Sequence, residues 1–292
     1  MFTGPKLIVS LVVSVLAVSA GEDKAVYVVT GAQQFGTVDL TTGVFHQIGS
    51  GTPEPDANLV HGPNGILYSV GTISGSLVSI DIATGATTVI GPTGLGATIF
   101  DLAEAAGKLY LTDLSNNLYS VNPATGVATL IGPTGMPPDP HVPFTFNPDG
   151  TFNLCDETLY GVGNKLYATF DSFTLNPATL AITVLVPPDL WEIDPRTGIA
   201  TYIAPTSLNL GASVHVDGNF YALHLVPVGF NAFCPVAISQ LETLDLANGI
   251  TSFVRAIDPA AGPIFGAAPV RGHSQSQLPV PGQRRLRWRV SQ

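Results

Sequence analysis

Charge is scarce in this chain. Asp, Glu, Lys and Arg make up 11% of its 292 residues, and cations are the rarer sign, 11 against 21 acids. Between Glu22 and Asp258 the 21 acids meet only Lys24, Lys108, Lys165, Arg196 and Arg255, a net of 5 − 21 = −16. Such a body repels a phosphate backbone, which argues against nucleic acid as its partner. Cysteine is limited to Cys155 and Cys234, with no CxxC and no zinc-type spacing. None of the six histidines stands in an HExxH pattern, no GxSxG elbow occurs, and the glycine-rich stretches lack the lysine of a P-loop. These absences remove the motif-bearing metalloproteases, serine hydrolases and nucleotide hydrolases. Asn-x-Ser/Thr sequons are missing too.

Long apolar runs are rare, and the one at Leu7–Val18 is too short to span a bilayer. Lys6 precedes it and the small residues Val18-Ser19-Ala20 follow, so residues 1–20 read as a secretory signal peptide. The expected location is therefore the periplasm or the medium, as a monomer with no membrane anchor once the leader is removed. Export permits a Cys155–Cys234 disulfide without requiring it. Residues 271–292 carry Arg271, Arg284, Arg285, Arg287 and Arg289 among Gln, Ser, Pro and Gly, the composition of a basic disordered tail.

What is abundant is glycine (31), proline (24) and a recurring phrase. Asp/Asn-x-x-Thr/Asn-Gly runs from Asp39 to Gly43, Asp81 to Gly85, Asn122 to Gly126, Asp194 to Gly198 and Asp245 to Gly249. The Asp or Asn oxygen caps the following N–H groups, and the glycine accepts a left-handed backbone. Alternating segments such as Leu77–Asp81 and Ala86–Ile90 flank the phrase, so it is expected to be the tip of a hairpin. A decayed copy lies at Asn176–Leu180, with leucine in the glycine position. Gly-Pro-Thr-Gly follows at Gly91 and Gly132.

A strand with an aromatic marker also recurs, at Tyr27, Tyr68, Tyr110, Tyr167 and Tyr221. Four short strands every 40 to 50 residues is the period of a β-propeller blade, and stacking blades in a ring buries faces that a single sheet cannot cover. The expected fold is all-β: a propeller over residues 25–270 with five four-stranded blades, six being the alternative count. An extra hairpin is expected in the fourth blade. The tyrosine strands are expected next to the central channel. A glycine-rich β-solenoid fits the spacing poorly.

The run Leu-Tyr…Asp-x-x-Thr-Gly…Ile-Gly-Pro-Thr-Gly resembles the repeats of secreted bacterial propeller proteins of unassigned function, many of which bear a PEP-CTERM sorting tail. Here Leu278-Pro-Val-Pro281 precedes Arg284-Arg285-Leu286-Arg287, but Pro-Glu-Pro and the apolar helix are absent. The resemblance implies the architecture and says almost nothing about chemistry.

Two function classes follow. One is a secreted, non-enzymatic module that binds a protein or glycan through the irregular segments 135–158, 171–189 and 226–239, where Phe230, Phe233, Trp191 and His141 are the candidate contacts. Trp191 reads equally as blade packing. The other is an exported, metal-assisted lactonase or lyase at the channel mouth, with His215, His224 and Asp217 as candidates and Asp171 or Asp113 as partners from other blades. No metal-ligand set is diagnostic. The repeated acids Asp39, Asp81, Asp194 and Asp245 supply one carboxylate per separated tip, too few for calcium, although an acidic exported body leaves calcium open elsewhere.

Overall fold

The computed structural model describes residues 24–49, 53–54, 56–137, 145–206, 210–230 and 235–270. The expected leader and basic tail, and with them Phe233, His141 and Cys234, lie outside the described residues, as do the side chains of Phe230 and Cys155.

The first blade contains β1 (Ala25–Thr30), β2 (Phe35–Asp39) and β3 (Phe45–Gly49). The second contains β4 (Asp56–His61), β5 (Leu67–Gly71), β6 (Ser76–Ile80) and β7 (Thr87–Pro92). The third contains β8 (Ile99–Ala105), β9 (Lys108–Asp113), β10 (Asn117–Val121) and β11 (Ala128–Pro133). The fourth adds a short β12 (Thr145–Phe146) to β13 (Phe152–Val162), β14 (Lys165–Leu175), β15 (Ile182–Ile193) and β16 (Ala200–Pro205). The fifth contains β17 (Leu210–Val216), β18 (Asn219–Phe230), β19 (Pro235–Leu244) and β20 (Thr251–Ala256). The last strand, β21 (Ile264–Pro269), pairs antiparallel with β1 and completes the first blade. The fold is a five-bladed β-propeller, as the repeat predicts.

Strands β21, β4, β8, β13 and β17 each contact the next around a closed ring. They line the channel. The tyrosine strands β1, β5, β9, β14 and β18 sit one position further out, which corrects the expectation from the sequence. The reason is room. At the centre the backbones come so close that a Cβ on Gly161 would fall on the Glu104 carbonyl, and one on Gly266 on the Asn58–Leu59 backbone. Tyr68, Tyr110, Tyr167 and Tyr221 instead fill the cores between blades. Each core cluster joins two consecutive blades; Tyr68, Val70 and Leu77 of the second blade, for example, meet Ile99, Leu102 and Leu109 of the third.

The recurring phrase joins the third and outermost strands of every blade. Gly43, Gly85, Gly126, Gly198 and Gly249 have φ between +71° and +82°, and each donates its N–H to the carbonyl of the phrase's first residue at 2.7–2.8 Å. The first side chain accepts from the residue two positions on, as in Ala83 N to Asp81 Oδ1 at 2.9 Å. The glycine has a second duty. A Cβ on Gly126 would fall on the Gly91 carbonyl of the preceding blade, and the same close approach links Gly198 to Gly132, Gly249 to Pro205 and Gly43 to Ala256. Hydrogen bonds reinforce these joints: Ala128 N to Thr93 O at 3.0 Å, and Ala200 N to Thr134 O at 2.8 Å. The expected extra hairpin is not an addition. Asn176–Leu180 is the tip of the lengthened β14–β15 pair, and Leu180 holds φ +58° there.

The glycine's two duties are separable. Gly135, at φ +75°, has open space where an added methyl group would project, whereas Gly126, at φ +81°, faces backbone. Gly135→Ala is expected to cost about 1 kcal/mol, from the backbone conformation alone. Gly126→Ala is expected to cost at least about 2 kcal/mol more, because the blades must also part. Urea unfolding of the two variants checks the difference.

Candidate functional site

At one end of the channel the last residues of the inner strands enclose a cavity of about 900 Å³. The charged and polar groups on its wall come from different blades and include Lys24, His61, Glu104, His215 and Asp217, with Asn58 at the base. His215, near the end of β17, is exposed. At the rim Lys24 Nζ lies 3.9 Å from Asp217 Oδ2, both side chains being partly solvated. Such a pair contributes little to stability and is free to rearrange around a ligand. His61 is pinned: its Nε2 is 2.8 Å from the Pro269 carbonyl and its Nδ1 3.3 Å from the Gly65 carbonyl. Glu104 Oε1 accepts from Gly107 N at 2.6 Å.

Below the cavity polar side chains tie the inner strands to one another. Asn58, at φ +47° where β4 slips register against β5, accepts from Leu59 N at 2.7 Å and Ala267 N at 3.4 Å. Its amide donates to Leu159 O at 3.2 Å. Asp101 on β8 accepts from Leu102 N at 2.7 Å and Leu159 N at 2.6 Å. Two side chains thus bind strands from four blades. Burial pushes the Asp101 carboxyl well above the ordinary range; the N–H groups of Leu159 and Leu102 and the Asn58 amide pull it back, while the charge of Glu157 adds to the rise.

Glu157, on β13, is 4% exposed, and neither carboxylate oxygen makes a hydrogen bond of good geometry. Burial raises its pKa to about 8; the Thr112 hydroxyl offsets part of the rise and the Asp113 charge adds to it. On the opposite side of the same strand, Tyr160 packs against Tyr167 and Phe220 with ring centroids 5.8 and 4.4 Å away. Burial, and then the neighbouring Tyr167, hold the Tyr160 hydroxyl well above its ordinary pKa. The Tyr160 and Ser213 hydroxyls are buried without a hydrogen-bond partner among the described residues, and both residues belong to the cavity wall.

Of the residues singled out by sequence, His215 and Asp217 come together at this cavity. His224 does not. It pairs with Leu210 further along β18, and strand alternation turns it, like Phe220 and Ala222, towards the fourth blade. Asp171 projects into that seam from β14, on the side of Tyr167. Asp113 is committed to its own hairpin, accepting from Ser115 N, Asn117 N and the Tyr119 hydroxyl at 2.8–2.9 Å. Trp191 meets Tyr202 edge-on at 5.3 Å and packs on the core between blades three and four. Among the described residues no three His, Cys, Asp or Glu side chains are grouped as a metal ion would require. Sequence reasoning missed Asn58, Asp101, Glu157, Tyr160 and Ser213. The available signal was a lone polar residue inside an apolar inner strand, as in Ile99-Phe-Asp-Leu-Ala103.

No family model matches the chain, and no curated protein matches it either. Among solved structures it is similar to a structural genomics protein of unknown function from Bacteroides thetaiotaomicron VPI-5482, at 17% identity and a TM-score of 0.45, over 79% of this chain and 55% of that one. A second is dihydro-heme d1 dehydrogenase NirN in complex with DHE, at 13% identity and a TM-score of 0.34, over 79% of this chain and 53% of that one. The chain spans about half the length of each.

The buried acids set a pH dependence. Well below pH 4.5 Glu157 is neutral folded or unfolded and contributes no pH dependence. As pH rises further the unfolded chain ionises first, so stability falls until about pH 8, the folded value. The whole drop is on the order of a few kcal/mol, and Asp101 acts in the same direction. Urea unfolding at pH 5, 7 and 9 should show a decline that is shallower in Glu157→Gln. An equal slope in the variant would contradict this assignment.

Proposed function

We propose that this is an exported β-propeller that binds a small, hydroxyl-rich ligand, a glycan unit, in the cavity at the channel mouth. The observation that carries the reading is the cavity itself: about 900 Å³, within the range of small-molecule sites, with Asn58 at its base and charged groups of both signs on its wall. Exposed His215 supplies a hydrogen bond that either donates or accepts, and the Lys24–Asp217 pair supplies both a donor and an acceptor. Charged and polar groups interspersed with apolar ones such as Val60, Val162 and Val216 suit a sugar's hydroxyls and ring faces. The export reading rests on the leader expected at residues 1–20. Among the described residues no helix is long and apolar enough to cross a membrane.

The described parts of the irregular segments are not at this cavity. The registers Val162–Lys165 and Phe152–Leu175 put the cavity at one end of the β13–β14 pair and the long hairpin tip at the other. Loop-borne protein recognition is therefore a separate surface from ligand binding here. An enzymatic reading would use the same His215 and Asp217, and turnover separates it from simple binding.

Thermal shifts with a panel of neutral and acidic mono- and disaccharides test the proposal, since a ligand that binds only the folded state raises the melting temperature. His215→Ala is expected to weaken binding about tenfold without altering the unliganded melting temperature. A panel that shifts nothing, or shifts the variant equally, would remove the proposal. Chemical conversion of a panel member, lost in His215→Ala, would make the protein an enzyme.

A further inference from the structure

We infer, in a step that rests on the glycan reading above, that Tyr160 and Ser213 form a subsite for an uncharged sugar hydroxyl where blades four and five meet. Strand β17 pairs with β18 so that Ser213 lies opposite Ala222 and His215 opposite Phe220. Ala222 and Phe220 belong to the core between blades four and five, together with Tyr160 and Tyr167. Cross-strand partners share a face of their sheet, so Ser213 and His215 are turned towards blade four. Tyr160 faces them from β13, its ring centroid 4.4 Å from that of Phe220.

Two hydroxyls in this seam have nothing to bond. Tyr160 and Ser213 are each 4% exposed, and neither hydroxyl oxygen has a hydrogen-bond partner among the described residues. A buried polar group left in that state costs stability and calls for an explanation. Here two such groups, from different blades, occur in one seam. Both residues belong to the cavity wall, as do His215, Phe220 and Val162, so they border the space a ligand would fill. A ligand oxygen is the partner that both hydroxyls lack.

The chemistry of the seam selects the ligand group. Burial, and then Tyr167, hold the Tyr160 hydroxyl well above its ordinary pKa, so it stays protonated and donates. Ser213 donates or accepts. A sugar hydroxyl is donor and acceptor at once and satisfies both. A carboxylate fits less well, because burying its charge against neutral hydroxyls is costly. The lysine on the wall, Lys24, already has Asp217 at 3.9 Å, and 5 cations against 21 acids over residues 22–258 repel an incoming anion. Phe220 and Val162 offer apolar surface to the sugar's C–H face. The class of ligand is therefore a neutral sugar rather than a uronic acid.

Calorimetric titration of the parent, Tyr160→Phe and Ser213→Ala with glucose, galactose, mannose, maltose and cellobiose, and with glucuronic and galacturonic acids, tests the inference. A neutral sugar is expected to bind the parent at least about tenfold more tightly than either acid. Each variant should weaken that binding about tenfold yet melt no lower than the parent when unliganded, because the hydroxyl removed had no partner. Tighter binding of an acid overturns the inference. Equal binding by the parent and both variants overturns it too, while leaving the glycan reading in place. So does a loss of binding accompanied by a lower unliganded melting temperature, which would make the hydroxyls part of the fold. If no sugar binds the parent, the glycan reading itself fails and the subsite with it.

Discussion

The structure depends on backbone meeting backbone at the rim of the ring. Each capped bend presents a glycine to the backbone of the blade before it, from Gly85 against Gly49 round to Gly43 against Ala256. A side chain in that position would hold neighbouring sheets apart, and the cores between them, such as Tyr68 with Leu102 and Leu111, would lose their packing. A local requirement for a left-handed bend and a global requirement for close approach fall on the same residue. That coincidence explains why the phrase returns almost unchanged while the strands around it vary.

The centre obeys a related constraint with the opposite chemistry. The five inner strands approach each other closely at Gly161 and Gly266, and where they converge they bring backbone groups that need partners. Asn58 and Asp101 serve them across blades. Burying these groups is costly unless they are satisfied, and here they are. Glu157 is the counterexample: its carboxylate is buried close by without comparable support. The ring therefore carries two buried acids at the same seam, Asp101 with backbone N–H partners and Glu157 without a hydrogen bond of good geometry.

Much of the fold was legible because hairpin chemistry is local. The five capped bends, the blade count and the strand alternation follow from a few neighbouring residues, and Trp191 packs in its blade. The order of strands within a blade was not legible. Whether a tyrosine strand lies first or second from the axis depends on the C-terminal strand crossing back to pair with β1, a contact between residues more than two hundred positions apart. The cavity was half legible. His215 and Asp217 stand close in sequence and meet there, whereas Tyr160, Ser213 and Asn58 are drawn together only by the ring. No short-range pattern encodes that.

The return of β21 to β1 also sets an order of events. Until the segment ending at Pro269 is available, the sheet containing Tyr27 lacks its axial member and the circle stays open by one strand. A nascent chain of this design remains an extendable string of modules, and its latch shuts only once the final strand has arrived.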